Sequence, residues 1–364
     1  MSNIAPSEVS ARLRDGDGSL HVLDIRNRDE YEEWHIEGSH NIPVYNSLSA
    51  GQTQALRTRL NEIPDDAEIA TVCIAGIVSQ KAAAVLRDEG YDAKSMEGGM
   101  RGWGTVYEPY DTGVTGLTQI VRPGTGCLSY VFADDGEALV VDPALHAEIY
   151  QQFADNNNLD IVGVLDTHAH ADHISSGPRF SEYLDVPYYL SATDAHDLSG
   201  YTPVEEGDTI AVGSTDLEVW ETPGHTRGSV VLRLDGAILA GDTLFVRSVG
   251  RPDLEGGTAE ATEGANLLFD SLDRLDSLSD DTMVYPGHFS NETIRPVADT
   301  IAAIRARNDL FGVADKSDFV ETILADLPDT PNNYNQIKAI NTGKEPLTQQ
   351  AADLELGPNN CASN

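Results

Sequence analysis

The chain has 364 residues, and its 60 acidic and 23 basic residues give a formal net charge of −37 at pH 7. A surface with this much negative charge repels nucleic acid and anionic membranes. Neither is therefore expected as a partner. No apolar run approaches the roughly 20 residues that a membrane-spanning helix requires. The length is sufficient for two domains of ordinary size.

The distribution of charges and cysteines indicates the cellular setting. Acidic residues are spread along the whole sequence, and only five of the cations are lysines. Molar salt would screen this self-repulsion, so we interpret the composition as that of a salt-adapted, halophilic protein. The three cysteines, Cys73, Cys127 and Cys361, are too scattered for a disulfide framework and fit a reducing compartment. The first residues lack the pattern of a signal peptide, so we expect a soluble, cytoplasmic protein.

The first third of the chain alternates short strand and helix patterns. Apolar runs predict buried strands at residues 20–24 and 69–73. Residues 79–89 carry apolar side chains at helical spacing and are followed by Gly90, which predicts a helix that ends there. This alternation is typical of a small α/β domain with a parallel sheet. Residues 107–115 then have the composition of a linker.

The rest of the chain is rich in strand patterns and ends in helical ones. Strands are predicted at residues 131–133, 138–141, 161–165, 217–220, 230–234 and 237–240. The turn Asp235-Gly236 between the last two is a strong hairpin signal. Helical patterns follow at residues 264–275 and 297–307. This part of the sequence therefore predicts an α/β sandwich.

Histidines and aspartates cluster directly after the predicted strand at residues 161–165. His168 and His170 are two residues apart in an extended segment, so their side chains face the same side. Asp172 and His173 follow where the chain is expected to turn into a helix. Imidazole and carboxylate groups in this register are typical of a metal site.

Three later residues also follow apolar strand patterns. His225 lies in Thr-Pro-Gly-His, Asp242 ends Ile-Leu-Ala-Gly-Asp, and His288 lies in Tyr-Pro-Gly-His. Residues at the ends of strands are held rigidly by the sheet, so they can fix a metal ion. The loops that follow leave coordination positions of the metal free for a substrate. We therefore predict a metal centre that draws on these residues.

The residues of this centre resemble those of the metallo-β-lactamase superfamily, and the resemblance covers residues 113–364. It implies an αββα sandwich and leaves two site types open. In the hydrolase type, of which glyoxalase II is the nearest example, all seven residues bind two metals, usually zinc. In the persulfide dioxygenase type, one Fe(II) is bound by the equivalents of His168, His225 and Asp242. The remaining four then orient the ligands or handle protons: His170, Asp172, His173 and His288.

Further stretches favour the dioxygenase type. Residues 241–245 (GDTLF), followed by residues 249–254 (VGRPDL), are similar to the GDTLF…GRxDL stretch of that family. The ending LGPNNCA is similar to the tail of its bacterial and archaeal members. The basic glutathione-binding cluster of glyoxalase II is not found. Arg247 and Arg251 lie near Asp242 in sequence, and we expect them to attract an anionic thiol substrate.

Cys73 follows one predicted strand and precedes the helix that begins near Ser79. The free N–H groups of a helix N-terminus stabilise a thiolate or a persulfide anion at such a place. The loop CIAGIVS at residues 73–79, with LDIR at 23–26 and EGGMRGW at 97–103, resembles the rhodanese family. This resemblance covers residues 1–108 and implies a rhodanese-like α/β domain with Cys73 as the sulfur carrier. Val78 stands where many single-domain rhodaneses have a basic residue, so we expect thiosulfate to bind less well.

The two resemblances imply one pathway for sulfur, because a sulfane-sulfur carrier and a persulfide oxidase share an intermediate. The expected activity is a persulfide dioxygenase, with one Fe(II) per chain, that converts a low-molecular-weight thiol persulfide and O2 to sulfite and thiol. We also expect Cys73 to transfer sulfane sulfur. The sequence does not show whether Cys73 passes sulfur to the thiol that the metal centre consumes or onto the sulfite product. Cys127 is expected to pack in the core, Cys361 has no assigned role, and a homodimer is the default expectation.

Two other functions fit the same residues. The first is a dinuclear zinc thioester hydrolase of the glyoxalase II type, since all seven ligands of that site are present. The second is a binding or sensing module that holds a persulfide on Cys73 without turnover. The metal content and O2 uptake with a persulfide separate these functions from the dioxygenase.

Overall fold

The computed structural model describes residues 2–255, 260–289, 292, 294–325, 327, 330, 333–348, 351–357 and 362–363. Two compact units make up the chain. The first is Met1–Glu108 with two short later segments, and the second contains Pro109–Val121 and Gly126–Glu355. Cys361 lies outside the described residues.

The first unit is built on a sheet whose neighbouring strands are all parallel. Its strands are β1 (Asn3–Ile4), β2 (Leu20–Asp24), β3 (His40–Asn41), β4 (Glu68–Val72) and β5 (Ala93–Met96). Their order across the sheet is β1-β5-β4-β2-β3. The helices are α1 (Pro6–Arg14), α2 (Arg28–Glu33), α3 (Tyr45–Ser49), α4 (Gln54–Arg57), α5 (Val78–Asp88) and α6 (Gly99–Trp103), with a 3-10 turn at Leu60–Glu62.

Helix α5 shows how the apolar pattern holds this unit together. Its side chains Ala82, Ala83, Val85 and Leu86 are buried. They share one apolar cluster with Leu23 of β2 and other residues of the sheet. Burial of a single Val or Leu side chain contributes about 1.5–3 kcal/mol, so this face is sufficient to fix the helix on the sheet. The predicted parallel α/β domain is confirmed.

The second unit contains a seven-stranded sheet whose strands lie in chain order, from β6 at one edge to β12 at the other. These strands are β6 (Glu108–Asp111), β7 (Leu117–Arg122), β8 (Cys127–Asp134), β9 (Glu137–Val141), β10 (Asp160–Leu165), β11 (Tyr188–Ser191) and β12 (Thr202–Val204). Strands β8 and β9 form an antiparallel hairpin, and β9 to β12 are mutually parallel.

A six-stranded sheet faces the first one. Its strands are β13 (Thr209–Val212), β14 (Thr215–Glu221), β15 (Val230–Leu234), β16 (Ala237–Gly241), β18 (Met283–Pro286) and β19 (Asp299–Thr300), side by side in that order. The short β17 (Val249–Gly250) pairs separately with β20 (Ala362–Ser363). Strands β16 and β18 are parallel neighbours, so the loops after them leave the sheet at the same edge.

Helices of the second unit lie outside the sheets. They are α7 (Glu148–Asn157), α8 (Gly177–Leu184), α9 (Ala192–Ala195), α10 (Ala261–Asp276), α11 (Ile301–Arg305), α12 (Lys316–Ala325) and α13 (Tyr334–Asn341), with a 3-10 turn at Ala351–Asp353. Among the helices that the structure describes, none is long and apolar enough to cross a membrane.

The two sheets enclose the main apolar core of this unit. Leu139 and Leu165 of the first sheet belong to the same buried cluster as Val219 and Leu239 of the second. On its other face, the second sheet packs against α10, α11 and α12 through a cluster that includes Ile238. Helices α7 and α8 contact β10 of the first sheet. The layers therefore run helix, sheet, sheet, helix, which confirms the predicted αββα sandwich.

The structure differs from two sequence predictions at element boundaries. The division between the two units, after Glu108, lies within the predicted linker at residues 107–115. That segment is not irregular throughout, because it contains β6 at the edge of the seven-stranded sheet. The helix predicted at residues 297–307 is only Ile301–Arg305, because the two residues before it form β19. Thr300 ends that strand and caps the helix by accepting a hydrogen bond from the N–H of Ala303 at 3.2 Å.

Candidate metal centre

The predicted metal ligands are delivered by loops at the carboxyl ends of strands. His168 follows β10 of the first sheet, while Asp242 and His288 follow β16 and β18 of the second. His225 lies in the loop between β14 and β15. All four side chains are buried. The loops of two different sheets therefore meet at one place.

His168, His225 and Asp242 form a compact triad. Oδ2 of Asp242 lies 3.7 Å from Nε2 of His168 and 3.5 Å from Nε2 of His225. The ligand-type atoms of the three residues all lie within 4.8 Å of one another. Two imidazoles and one carboxylate in this arrangement form a donor set that can hold a divalent metal ion.

Hydrogen bonds fix the tautomer of each histidine in the triad. Nδ1 of His225 donates to the backbone carbonyl of Arg251 at 2.9 Å. Nδ1 of His168 lies 3.0 Å from Oγ1 of Thr167, whose hydroxyl in turn donates to Asp142 at 3.0 Å. Because both Nδ1 atoms carry the proton, both Nε2 atoms present a lone pair to the centre.

The triad has the properties of a site for a divalent cation. Nε2 of His168, Nε2 of His225 and Oδ2 of Asp242 are buried without a hydrogen-bond partner among the described residues. Burial lowers the pKa of both histidines, so their rings are neutral ligands. Burial would raise the pKa of Asp242, but His288 and His168 hold it below the usual range. Orphaned buried atoms of this kind are costly unless something binds them, and a metal ion fits their chemistry.

Both ring nitrogens of His288 form hydrogen bonds with carboxylates. Nδ1 donates to Oδ1 of Asp242 at 2.7 Å, and Nε2 donates to Oδ2 of Asp172 at 2.8 Å. Burial lowers the pKa of His288, but the two carboxylates outweigh it and raise this pKa well above the ordinary value. His288 therefore links the carboxylate of the triad to Asp172.

His170 lies two residues after His168, and the centroids of the two rings are 4.2 Å apart. Its Nε2 is 3.3 Å from Oδ1 of Asp142 and 3.6 Å from Oδ1 of Asp166. Burial lowers the pKa of His170, but the hydrogen-bonding carboxylates raise it to about 9. His170 therefore lies between two carboxylates, next to the triad.

Asp172 and His173 belong to a third cluster, together with His288 and Cys127. Ligand-type atoms of the four residues lie within 4.8 Å of one another. The Cys127 thiol is 3.6 Å from Oδ2 of Asp172, and Nδ1 of His173 donates to the same oxygen at 3.1 Å. Cys127 is buried, as the sequence predicted, but it contacts a polar cluster.

Close backbone packing holds the aspartate of the triad in place. Gly241 has a φ of +48°, and a Cβ on it would lie 2.5 Å from Oγ1 of Thr167. A Cβ on Gly287 would likewise collide with Oδ1 of Asp242. Glycine is therefore required at both positions, because any side chain would displace a group that orients the triad.

The two arginines predicted to bind substrate have different surroundings. Arg247 is exposed. Arg251 is buried and donates to both carboxylate oxygens of Asp253, from Nε at 2.7 Å and from Nη2 at 2.9 Å. Its backbone carbonyl orients His225. Substrate binding by either arginine stays a prediction.

The first unit places Cys73 at the start of α5. The thiol is buried and lies 3.4 Å from the backbone N–H of Ser79 and 3.3 Å from Oγ of the same residue. The Ser79 hydroxyl is in turn 2.9 Å from that of Ser95. The tip of the loop is apolar, with Ile77 largely exposed. Backbone and hydroxyl groups, rather than a basic side chain, therefore surround the sulfur.

Several residues around the triad were not singled out from the sequence. Asp142 and Asp166 directly follow the apolar strands β9 and β10, which is the same signal that identified Asp242. Cys127 is brought to the polar cluster by an isolated β-bridge with His288. The backbone N–H of Leu128 donates to the carbonyl of Gly287 and stabilises this bridge. No sequence pattern signals that pairing.

Comparisons with known proteins identify both units. Residues 122–288 match the metallo-β-lactamase superfamily, and residues 5–105 match the rhodanese-like domain. An uncharacterized protein of Mycobacterium tuberculosis is 36% identical over 202 residues, which span 46% of this chain and 88% of the relative. A hydroxyacylglutathione hydrolase of Francisella philomiragia is 35% identical over 162 residues, or 44% of this chain. The match spans 61% of that hydrolase, which is less than two thirds of its length.

The solved structures include a similar protein, ETHE1 from Myxococcus xanthus. It has a TM-score of 0.54 and 26% sequence identity, and the alignment covers 66% of this chain and 100% of that one. The αββα layers, the triad and the sequence matches agree with one another. The chain belongs to the metallo-β-lactamase superfamily and carries a rhodanese-like domain at its N-terminal end.

Proposed function

We propose that this chain is a persulfide dioxygenase that uses one Fe(II), bound by His168, His225 and Asp242. The observation that carries the proposal is the triad itself. Nε2 of His168, Nε2 of His225 and Oδ2 of Asp242 are buried without a hydrogen-bond partner among the described residues. Their ligand-type atoms lie within 4.8 Å of one another, and they supply the two imidazoles and one carboxylate of a mononuclear iron site.

The reaction needs no external reductant. A thiol persulfide R–S–SH, O2 and water give R–SH, SO3²⁻ and two protons, so the sulfur supplies all the electrons that O2 accepts. When bound, Fe(II) supplies coordination positions at which the persulfide sulfur and O2 are held together. Three protein ligands leave room for both reactants.

Residues around the triad would orient its ligands and handle protons. His288 holds Oδ1 of Asp242, which leaves Oδ2 facing His168 and His225. From there, hydrogen bonds lead through Asp172 to His173. This chain of groups offers a route for the protons that the reaction releases.

The comparisons support two neighbouring activities within the superfamily. The structural likeness to ETHE1 supports the persulfide dioxygenase family, to which the GDTLF and GRPDL stretches also point. The likeness to a hydroxyacylglutathione hydrolase supports the second candidate, a dinuclear zinc thioester hydrolase. The presence of all seven hydrolase ligands in the sequence favours that candidate too.

The rhodanese-like domain would couple sulfur transfer to this oxidation. Cys73 lies where the first N–H groups of α5 and the Ser79 hydroxyl can stabilise a persulfide anion. We propose that Cys73 either delivers sulfane sulfur to the thiol that the metal centre consumes or transfers it onto the sulfite product. The second direction yields thiosulfate.

Metal content and O2 uptake test the proposal together. Protein loaded anaerobically with Fe(II) is expected to hold one iron per chain and to consume O2 when glutathione persulfide is added, with sulfite as the product. A His225→Ala variant should lose both properties. Three results together would overturn the proposal in favour of the hydrolase. The wild-type protein would bind two zinc ions per chain, hydrolyse S-lactoylglutathione, and consume no O2 when it is loaded with iron.

A further inference from the structure

Asp194 is a fully buried carboxylate outside the metal triad. It lies in the short helix α9, which follows β11, and its exposed fraction is 0%. A carboxylate at this depth is destabilising unless hydrogen bonds compensate for its lost hydration. Its partners therefore indicate why it is there.

The hydrogen bonds of Asp194 reach two separate loops. Oδ2 accepts from the backbone N–H of Ala169 at 2.7 Å and from the Thr226 hydroxyl at 2.7 Å. Oδ1 accepts from the backbone N–H of Gly228 at 2.9 Å. Ala169 directly follows the ligand His168, and Thr226 directly follows the ligand His225.

One carboxylate thus joins the loop after β10 in the first sheet to the β14–β15 loop in the second. The two loops supply both imidazoles of the triad. They also meet through the backbone N–H of Val230, which donates to the carbonyl of Thr167 at 2.9 Å. Hydrogen bonds to an ionised carboxylate are stronger than neutral ones, so Asp194 restrains the loops more firmly than this backbone contact.

Gly228 shows how closely the second loop approaches Asp194. A Cβ built on Gly228 would lie 2.5 Å from Oδ1 of Asp194. A methyl group there would force the carboxylate away from its donors. The position offers a way to displace Asp194 without altering its chemistry.

We infer that Asp194 is a positioning residue that sets the separation of His168 and His225 and thereby the affinity and geometry of the bound metal. The inference rests on the metal centre proposed above, but not on the identity of the metal or on the reaction. Groups that orient metal ligands typically affect metal affinity by about 10–100-fold, and we expect an effect of that size.

The test compares two perturbing variants with one control. Asp194→Asn keeps the shape of the side chain but replaces one accepting oxygen with a donor, and Gly228→Ala displaces the carboxylate. The control is Gln119→Leu, which also removes three buried hydrogen bonds, two to the backbone of Val297 and one to Tyr130. None of the hydrogen bonds of Gln119 among the described residues goes to a triad residue.

Three quantities are measured for each protein. They are the dissociation constant for Zn²⁺ by competition with a chromophoric chelator, the visible spectrum of the Co²⁺ form, and the unfolding temperature of the metal-free form. Asp194→Asn and Gly228→Ala should weaken Zn²⁺ binding by about 10–100-fold and alter the Co²⁺ spectrum. Gln119→Leu should lower the unfolding temperature and leave both metal properties at wild-type values.

The inference is wrong if both perturbing variants behave like the control and bind Zn²⁺ within about twofold of wild type. If Asp194→Asn does not fold, Gly228→Ala and the milder Thr226→Ala, which removes one donor, decide the question by the same readouts. Failure of the proposed function is a separate result, because absent O2 uptake or a second metal in the wild-type protein leaves the comparison of affinities intact.

Discussion

Nδ1 of His288 donates to Oδ1 of Asp242 at 2.7 Å, on the carboxylate oxygen opposite the one that faces the two histidines of the triad. The two oxygens of one aspartate therefore have different tasks. Oδ1 is held by His288, and Oδ2 faces the two histidines. His288 therefore orients the carboxylate of the triad.

Replacement of His288 should impair catalysis without removing the metal. In His288→Asn, Asp242 loses the donor that orients it while all three proposed ligands remain. We expect one iron per chain by elemental analysis and a kcat for persulfide-dependent O2 uptake that is about 10–100-fold lower. His35→Asn, at an exposed position in the first unit, is the control and should match wild type. A wild-type content of two metals that falls to one in His288→Asn would contradict a single-metal site.

Ser79 should control the reactivity of Cys73. In Ser79→Ala the backbone N–H that faces the sulfur at 3.4 Å remains, but the hydroxyl at 3.3 Å is lost. A hydrogen bond to a charged group contributes about 1.5–3 kcal/mol, so we expect sulfur transfer to cyanide, followed as thiocyanate formation, to be slower by roughly 10–150-fold. Ser49→Ala, which removes an exposed hydroxyl, should have no effect, and Cys73→Ser should abolish the reaction. An unchanged rate in Ser79→Ala would show that the backbone alone stabilises the persulfide.

Cys127 should ionise near neutral pH. Burial raises the pKa of this thiol, but His173 and further hydrogen bonds lower it to about 7. In metal-free Cys73→Ser/Cys361→Ser protein, thiolate absorbance at 240 nm should therefore rise as the pH increases through about 7. The added change Cys127→Ser should remove this rise, and His173→Asn should move it to higher pH. A midpoint near 9, the value of an ordinary thiol, would show that the histidine does not act on the sulfur.

Salt should stabilise the fold. With a net charge of −37, the native state is destabilised by self-repulsion, which dissolved ions screen. The unfolding temperature measured by circular dichroism should rise between 0.1 and 1 M KCl, as the Debye length falls from about 10 Å to about 3 Å. Sucrose solutions provide the control for effects unrelated to charge. A flat profile in KCl would contradict the interpretation of the composition as salt adaptation.

The sequence predicted the elements that depend on local patterns. The hairpin around Asp235-Gly236 lies at the predicted residues because turn chemistry and apolar runs coincide there. The triad could be anticipated for a similar reason, since His168 and Asp242 each follow an apolar strand and strand ends converge at a sheet edge. Burial pattern and chain order are sufficient for such inferences.

Orientation within the site could not be predicted in this way. His168 and His170 share one face of an extended segment, yet His170 turns towards Asp142 and Asp166. The direction of the His170 side chain depends on carboxylates that follow β9 and β10. The local sequence around His170 does not show that these carboxylates lie nearby. The positions of Cys127 and Asp194 depend on contacts across the sandwich for the same reason.

Gly241 has a consequence for how this protein can evolve. Its left-handed backbone and its approach to Thr167 leave no space for a side chain immediately before Asp242. Neighbouring atoms can often move slightly to accept a new side chain. At Gly241 the nearest neighbour is the hydroxyl of Thr167, which orients His168 and cannot move without disturbing the triad. A saturation library at this codon should therefore retain a single amino acid, and new substrates would have to be gained by variation in other loops.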